Sequence, residues 1–112
     1  MKRIAMLNCL KANTVCTGAA CFKAFHEKSK SFAVYGSEDL CLMAFMRCNG
    51  CEKDPDDDPG MQEKLDRLES IGVEVVHAGV CTRKRDGSEC PTITKILRAC
   101  EQRGMHVVRA TH

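Results

Sequence analysis

Residues 72–78 read Gly-Val-Glu-Val-Val-His-Ala, and residues 104–110 read Gly-Met-His-Val-Val-Arg-Ala. Each stretch is a glycine leading into an apolar, β-rich run, and each follows a segment with helical spacing. Glycine closes a helix where the chain must turn left-handed, and the run behind it suits a strand. The same helix–Gly–strand unit is thus written twice. Two earlier runs, 3–9 (RIAMLNC) and 40–48 (LCLMAFMRC), are also nearly continuous in hydrophobicity, as strands covered on both faces are. Helices are predicted over 18–28, with Phe22 and Phe25 on one face, over 59–71, and from Pro91 up to Gly104. The second carries Met61, Leu65, Leu68 and Ile71 as a core-facing stripe, and the third carries Ile93, Ile96, Leu97 and Cys100. Pro91 suits a first helical position. The order βαβαβαβ predicts an α/β fold: a small three-layer, flavodoxin-like parallel sheet of about four strands with right-handed crossovers.

Composition narrows the function. A chain of 112 residues fits one domain, 1–112, with no visible linker. A net charge of +2 lacks the excess of positive charge of a dedicated nucleic-acid binder. With 4% aromatics and no Trp, a base-stacking platform is not expected either. No window reaches the length of a membrane-spanning helix. The first ten residues have only a short apolar stretch before Asn8, too brief for a signal-peptide core. The expected setting is the cytoplasm, with neither nucleic acid nor membrane as partner. The unusual number is nine Cys. In a short chain this density usually marks a secreted disulfide scaffold. Here the count is odd and the cysteines lie inside α/β periodicity. In a reducing compartment that leaves metal binding, thiol redox chemistry or inert buried thiols.

The placement of the cysteines favours the first of these. Cys9 and Cys48 close the first and second strands, Cys81 lies just past the third, and His112 ends the chain past the fourth. Cys16 and Cys21 fall in the first strand-to-helix connection, Cys51 in the second and Cys90 in the third. In a parallel sheet these connections share one edge, where open α/β sheets build their sites. Cys16, Cys21 and Cys90 are expected near helix N-termini, whose free N–H groups lower thiol pKa values. Clustered thiolates repel unless a cation neutralises them, and Cys with His is a zinc-type donor set. Zinc is the expected cofactor, on Cys9, Cys16, Cys21, Cys48, Cys51, Cys81, Cys90 and His112, with an iron–sulfur cluster as the alternative. Cys41, near the start of the second strand, and Cys100, on the third helix's apolar stripe, are expected to be buried hydrophobes remote from that edge.

Several of these stretches together carry a likeness. Cys16-Thr-Gly-Ala-Ala-Cys-Phe-Lys-Ala, Phe45-Met-Arg-Cys-Asn-Gly-Cys, Val76-His-Ala-Gly-Val-Cys, the Cys90-Pro pair and the closing Thr111-His resemble the CGGC domain family over almost the whole chain. This is a family of small prokaryotic proteins, and the resemblance implies metal binding through shared cysteines and histidines. Asn49 stands where the family's eponymous motif has Gly. Asn tolerates unusual turn conformations, so the turn is expected to survive, but a role needing two bare glycines is not.

The remaining motifs are read more plainly. Cys48-Asn-Gly-Cys51 is a C-x-x-C after a strand, open to a thioredoxin-like redox reading as well as to metal. The Pro-broken acidic run 52–59 separates it from the next helix. Asp54-x-Asp56-x-Asp58 is not an EF-hand: the loop's twelfth position is Leu65. It is read as a solvated acidic turn, and 83–86 (RKRD) as a solvated basic loop. His77 is read as a hydrogen-bonded core histidine, with a place at the metal as the other reading; His26 and His106 are expected at the surface. Neither a Walker nor a dinucleotide glycine loop occurs, and Ser-His-Asp catalysis has no local support.

Overall fold

The computed structural model describes residues 1–109. Four strands, β1 (Lys2–Asn8), β2 (Leu40–Arg47), β3 (Val75–Ala78) and β4 (His106–Val108), alternate with helices α1 (Ala19–Glu27), α2 (Pro59–Ser70) and α3 (Pro91–Gln102). The strands form one parallel sheet in the order β2-β1-β3-β4. The α/β, three-layer, flavodoxin-like arrangement expected from the repeated helix–Gly–strand unit is the one observed. Gly72 and Gly104 take φ 78° and 87° behind α2 and α3, the left-handed turn that feeds each helix into its strand. Residue 110, in the last expected strand, lies outside the described residues.

The layers follow from period-two alternation in β1. Ile4 and Met6 pack with Cys21 and Ala24 of α1 and with Phe32. Ala5 and Leu7 pack with Met61, Leu65 and Leu68 of α2 and with Ile93, Ile96, Leu97 and Cys100 of α3. One face therefore carries one helix and the other carries two. The second helix begins where the acidic run supplies a cap: Asp58 accepts the Gly60 N–H at 3.0 Å and Pro59 opens the helix. Asp54 likewise accepts the Asp56 N–H and pairs with Lys95 at 3.1 Å, so the acidic turn orders the entry to α2.

The pairing of β2 with β1 has one irregularity. Ile4 pairs with Leu42 but Ala5 pairs with Ala44, so Met43 is an extra residue in β2. Such a bulge re-aims the side chains beyond it. Leu40, Leu42 and Phe45 lie against the α1 cluster, while Met43, Ala44 and Met46 lie against the α2–α3 cluster. Cys48, continuing that alternation, joins the α2–α3 side.

Cys100 is fully buried, as expected. Cys41 is not: it is half-buried, its thiol 3.3 Å from Met43 Sδ. The strand order puts β2 at the sheet's edge, and all eight of its residues keep partial exposure. Replacing Leu65 by Ala is expected to cost about 2–5 kcal/mol, Cys100→Ala about 1 kcal/mol, and Cys41→Ala less than either. Urea denaturation midpoints check the ranking.

Candidate functional site

The chain reverses direction across the sheet at β1. The connection after β1 departs over the α1 face towards β2, and the connection after β3 departs over the opposite face towards β4. Between the carboxyl ends of β1 and β3 the two connections part, and α/β sheets place ligands in that gap. Asn8, the last residue of β1, is the first polar side chain to emerge there and is only 6% exposed.

Asn8 gathers thiols from two segments. Its Oδ1 accepts from Cys81 Sγ at 3.5 Å and from Cys21 Sγ at 3.8 Å. Cys81 Sγ in turn accepts the Cys9 N–H at 3.3 Å, which ties the β3 connection to the end of β1. Cys16 Sγ accepts the Gly18 N–H at 3.3 Å just before α1. Burial pushes the Cys21 thiol up, and repulsion from Cys81 and Cys16 adds to it. Burial also raises Cys81, opposed by the Cys9 N–H and reinforced by Cys9 and Cys16. Asn8, Cys9, Cys16, Cys21 and Cys81 are therefore one electrostatic neighbourhood. The lowered pKa expected for Cys21 is reversed, because it lies on the buried face of α1, where desolvation outweighs the helix dipole. Asn8 Nδ2, buried in the same place, has no hydrogen-bond partner among the described residues.

The other expected ligands fall elsewhere. Cys48 is buried in the α2–α3 cluster and its Sγ accepts the Leu10 N–H at 3.3 Å. Cys90 packs against that cluster as the residue before α3. Cys51 is exposed. Partial burial works to raise the Cys90 pKa, but the Ile93 and Thr92 N–H groups, the Thr92 hydroxyl and the Cys51 thiol together hold it below the ordinary thiol value, as expected at a helix N-terminus. His112 lies outside the described residues. Among the described residues, no three or more His, Cys, Asp or Glu side chains are arranged to hold a metal ion.

Two residues without a distinctive sequence signature support the Asn8 group. Asn8 itself reads only as the end of an apolar run. Gly79 reads as a spacer, yet a Cβ there would lie 2.3 Å from Asn8 Oδ1. The one signal for Gly79 is its place shortly before a rim cysteine.

The likeness in the cysteine motifs extends to the family as a whole, for the model of the CGGC domain matches residues 3–112. The chain belongs to the CGGC domain family. No curated protein and no solved structure matches it. Family membership and cysteine content together fit a metal-binding role for this CGGC domain. Its departure at Asn49 has a structural use. Asn49 needs no left-handed backbone; its amide donates to Asp58 Oδ2 at 2.9 Å and accepts from Lys64 Nζ at 2.8 Å. It clamps the loop after β2 to the start of α2. Among the described residues, no helix of this CGGC domain is long and apolar enough to cross a membrane.

His77 is fully buried beside β1, away from these thiols' hydrogen bonds. Its ring stacks on Phe32 at 4.1 Å and meets Tyr35 Oη at 2.6 Å and Ser31 Oγ at 3.1 Å, the hydrogen-bonded core histidine expected from its place in a buried strand. His26 and His106 are exposed, also as expected.

The packing around Asn8 and His77 can be tested at both residues. Gly79→Ala forces Asn8 aside and is expected to cost about 1–3 kcal/mol, as overpacking does, read by urea unfolding. Desolvation, with a smaller contribution from His106, lowers the His77 pKa from 6.5 to about 4. The unfolded chain then binds the extra proton first, so stability falls as pH drops from 6.5 towards 4 and this contribution levels off below. His77→Gln should flatten that part of the profile relative to wild type in paired thermal melts; equal slopes would refute the assignment.

Proposed function

We propose that this CGGC domain binds a metal ion at the carboxyl edge of its sheet through Cys9, Cys16, Cys21 and Cys81, and that the ion is zinc. The observation that carries the reading is the Asn8 group itself. The thiols of Cys21 and Cys81 both hydrogen-bond to one buried amide whose Nδ2 has no acceptor among the described residues, and Cys9 and Cys16 lie close enough to act on them electrostatically. Burial first, and repulsion among the thiols second, push Cys21 and Cys81 up, and a divalent cation reverses that balance. With both thiols ionised, the Asn8 amide turned over presents Nδ2–H to sulfur, the kind of outer donor that metal thiolates take. The Cys9 N–H on Cys81 is already such a donor. Four thiolates complete one tetrahedral zinc without calling on Cys48, Cys51, Cys90 or His112, the rest of the expected ligand set.

The test is elemental analysis of protein purified without oxygen. About one equivalent of zinc is expected in the wild type. Cys21→Ser and Cys81→Ser should lower both metal content and folded fraction, since binding and folding are coupled, while Cys100→Ala leaves metal content unchanged. Less than about a tenth of an equivalent of any transition metal would end the proposal. A brown preparation holding iron and sulfide would move the site to an iron–sulfur cluster.

A further inference from the structure

β2 is an edge strand whose residues are apolar from Leu40 to Met46, with Arg47 as its single charge at the far end. None of its eight residues is fully buried. Natural edge strands are blunted by charge or proline along their length, and β2 is not. Its main-chain direction is fixed at both ends. The Lys2 N–H donates to the Asp39 carbonyl at 2.8 Å, and the Cys48 N–H donates to the Asn8 carbonyl at 3.1 Å, so residues 39 and 48 turn their main-chain groups towards β1. Alternation then turns those of Leu40 and Leu42 outward before the bulge, and those of Phe45 and Arg47 outward after it. Lys64 Nζ meets the Arg47 carbonyl at 2.8 Å on that open side. Beside the edge, Ala44 and Met46 of β2 line a cavity of about 470 Å³ together with Lys64, Arg67 and Leu68 of α2.

We propose that β2 pairs antiparallel with β2 of a second copy of this chain, about a two-fold axis that passes between Met43 and Ala44. Such an axis stands normal to the sheet, so residues opposed across it carry their side chains on one face. In an unbulged strand two opposed residues are then an even number of positions apart. The extra residue in β2 changes that parity across the bulge. Leu40, Leu42 and Phe45 share the α1 face, with Arg47 over the Phe45 ring at 5.3 Å, and Met43, Ala44 and Met46 share the other, with the Cys41 thiol beside Met43. The register that opposes Leu42 to the partner's Phe45 also opposes Leu40 to the partner's Arg47 and Cys41 to the partner's Met46. Every opposed pair then shares a face, and the outward main-chain groups of Leu40, Leu42, Phe45 and Arg47 meet outward groups of the partner. Charge agrees with this register. Arg47 lies diagonal to the partner's Glu38, a separation that long side chains span, and among the described residues neither has an ion-pair partner. The partner's Met43 comes beside Ala44, at the cavity that Ala44 and Met46 line. None of the four thiols assigned to metal lies on β2, so this inference stands apart from the metal reading.

Sedimentation equilibrium of the full chain over a micromolar-to-millimolar series is expected to show a monomer–dimer equilibrium. Arg47→Glu sets like charges against the partner's Glu38 at two symmetric places and should raise the dimer dissociation constant about ten-fold. Adding Glu38→Arg to that variant should restore the wild-type value, which a merely structural role for either residue would not do. Glu38→Arg alone makes the same test if Arg47→Glu fails to fold by circular dichroism. The register is read separately with Met46→Cys. Opposed residues whose main-chain groups turn inward form a non-hydrogen-bonded pair with Cα atoms about 4.5 Å apart. Mild oxidation of this variant with diamide should therefore couple Cys41 to the partner's residue 46 and give a covalent dimer of the tryptic peptide 31–47. Wild type should give none, since Cys41 and the partner's Cys41 are offset by roughly 15 Å along the strands. The proposal is overturned by a wild type that stays monomeric throughout the series or a dimer indifferent to both charge reversals. It is equally overturned by a Cys41–Cys41 link in wild type or by the absence of the peptide dimer from oxidised, folded Met46→Cys.

Discussion

Everything in the molecule hangs on β1. It is paired with β2 on one side and β3 on the other, and its residues Ile4 to Leu7 are essentially without solvent exposure. A strand buried on both faces must be apolar where it is covered, so after Ile4 to Leu7 the next polar side chain, Asn8, arrives only where the sheet ends. That is also where the chain's crossovers change sides. A buried amide at that place needs partners, and the connections after β1 and β3 bring it the sulfurs of Cys21 and Cys81. Gly79 leaves Asn8 the room to sit there.

The extra residue in β2 then divides the thiols. Were Met43 paired in regular register instead of bulged, the alternation of β2 would run unbroken, and Cys48 would fall on the α1 face with Cys21. With it, Cys48 turns under α2 and α3, where Cys90 packs as well. One sheet edge thus carries two sulfur groups on opposite faces, each with its own surroundings. The parallel sheet collects cysteines from distant parts of the chain, and a single register shift decides which of them meet.

The surroundings set different chemistries. Around Asn8 the thiols are desolvated and repel one another, which favours neutral sulfur until a cation arrives. At the start of α3 the Cys90 sulfur is more open, and the positive end of the helix favours its thiolate. The same side chain thus meets different surroundings on the two faces. His77 shows a third outcome. Stacked on Phe32 and bonded to Tyr35 and Ser31, it is spent on the core of the α1 face.

Much of this was legible in the residues. The helix–Gly–strand units, the proline at the start of α3, and the apolar stripes of α2 and α3 are local signals, so the element order and the α/β class followed from them. A parallel sheet aligns all its strand ends, so the gathering of cysteines at one edge followed as well. The short 3-10 helices at Leu10–Thr14 and Val80–Thr82 carried no such signal. Which strand lies at the edge decided the half-exposure of Cys41, and strand order is a property of the assembled sheet. The division of the rim thiols depended on the register of β2 against β1, and the roles of Asn8 and Gly79 on an approach between residues some seventy positions apart. Periodicity reports which face a residue takes within its own element. Register, strand order and close approach arise between elements, and only their packing decided them.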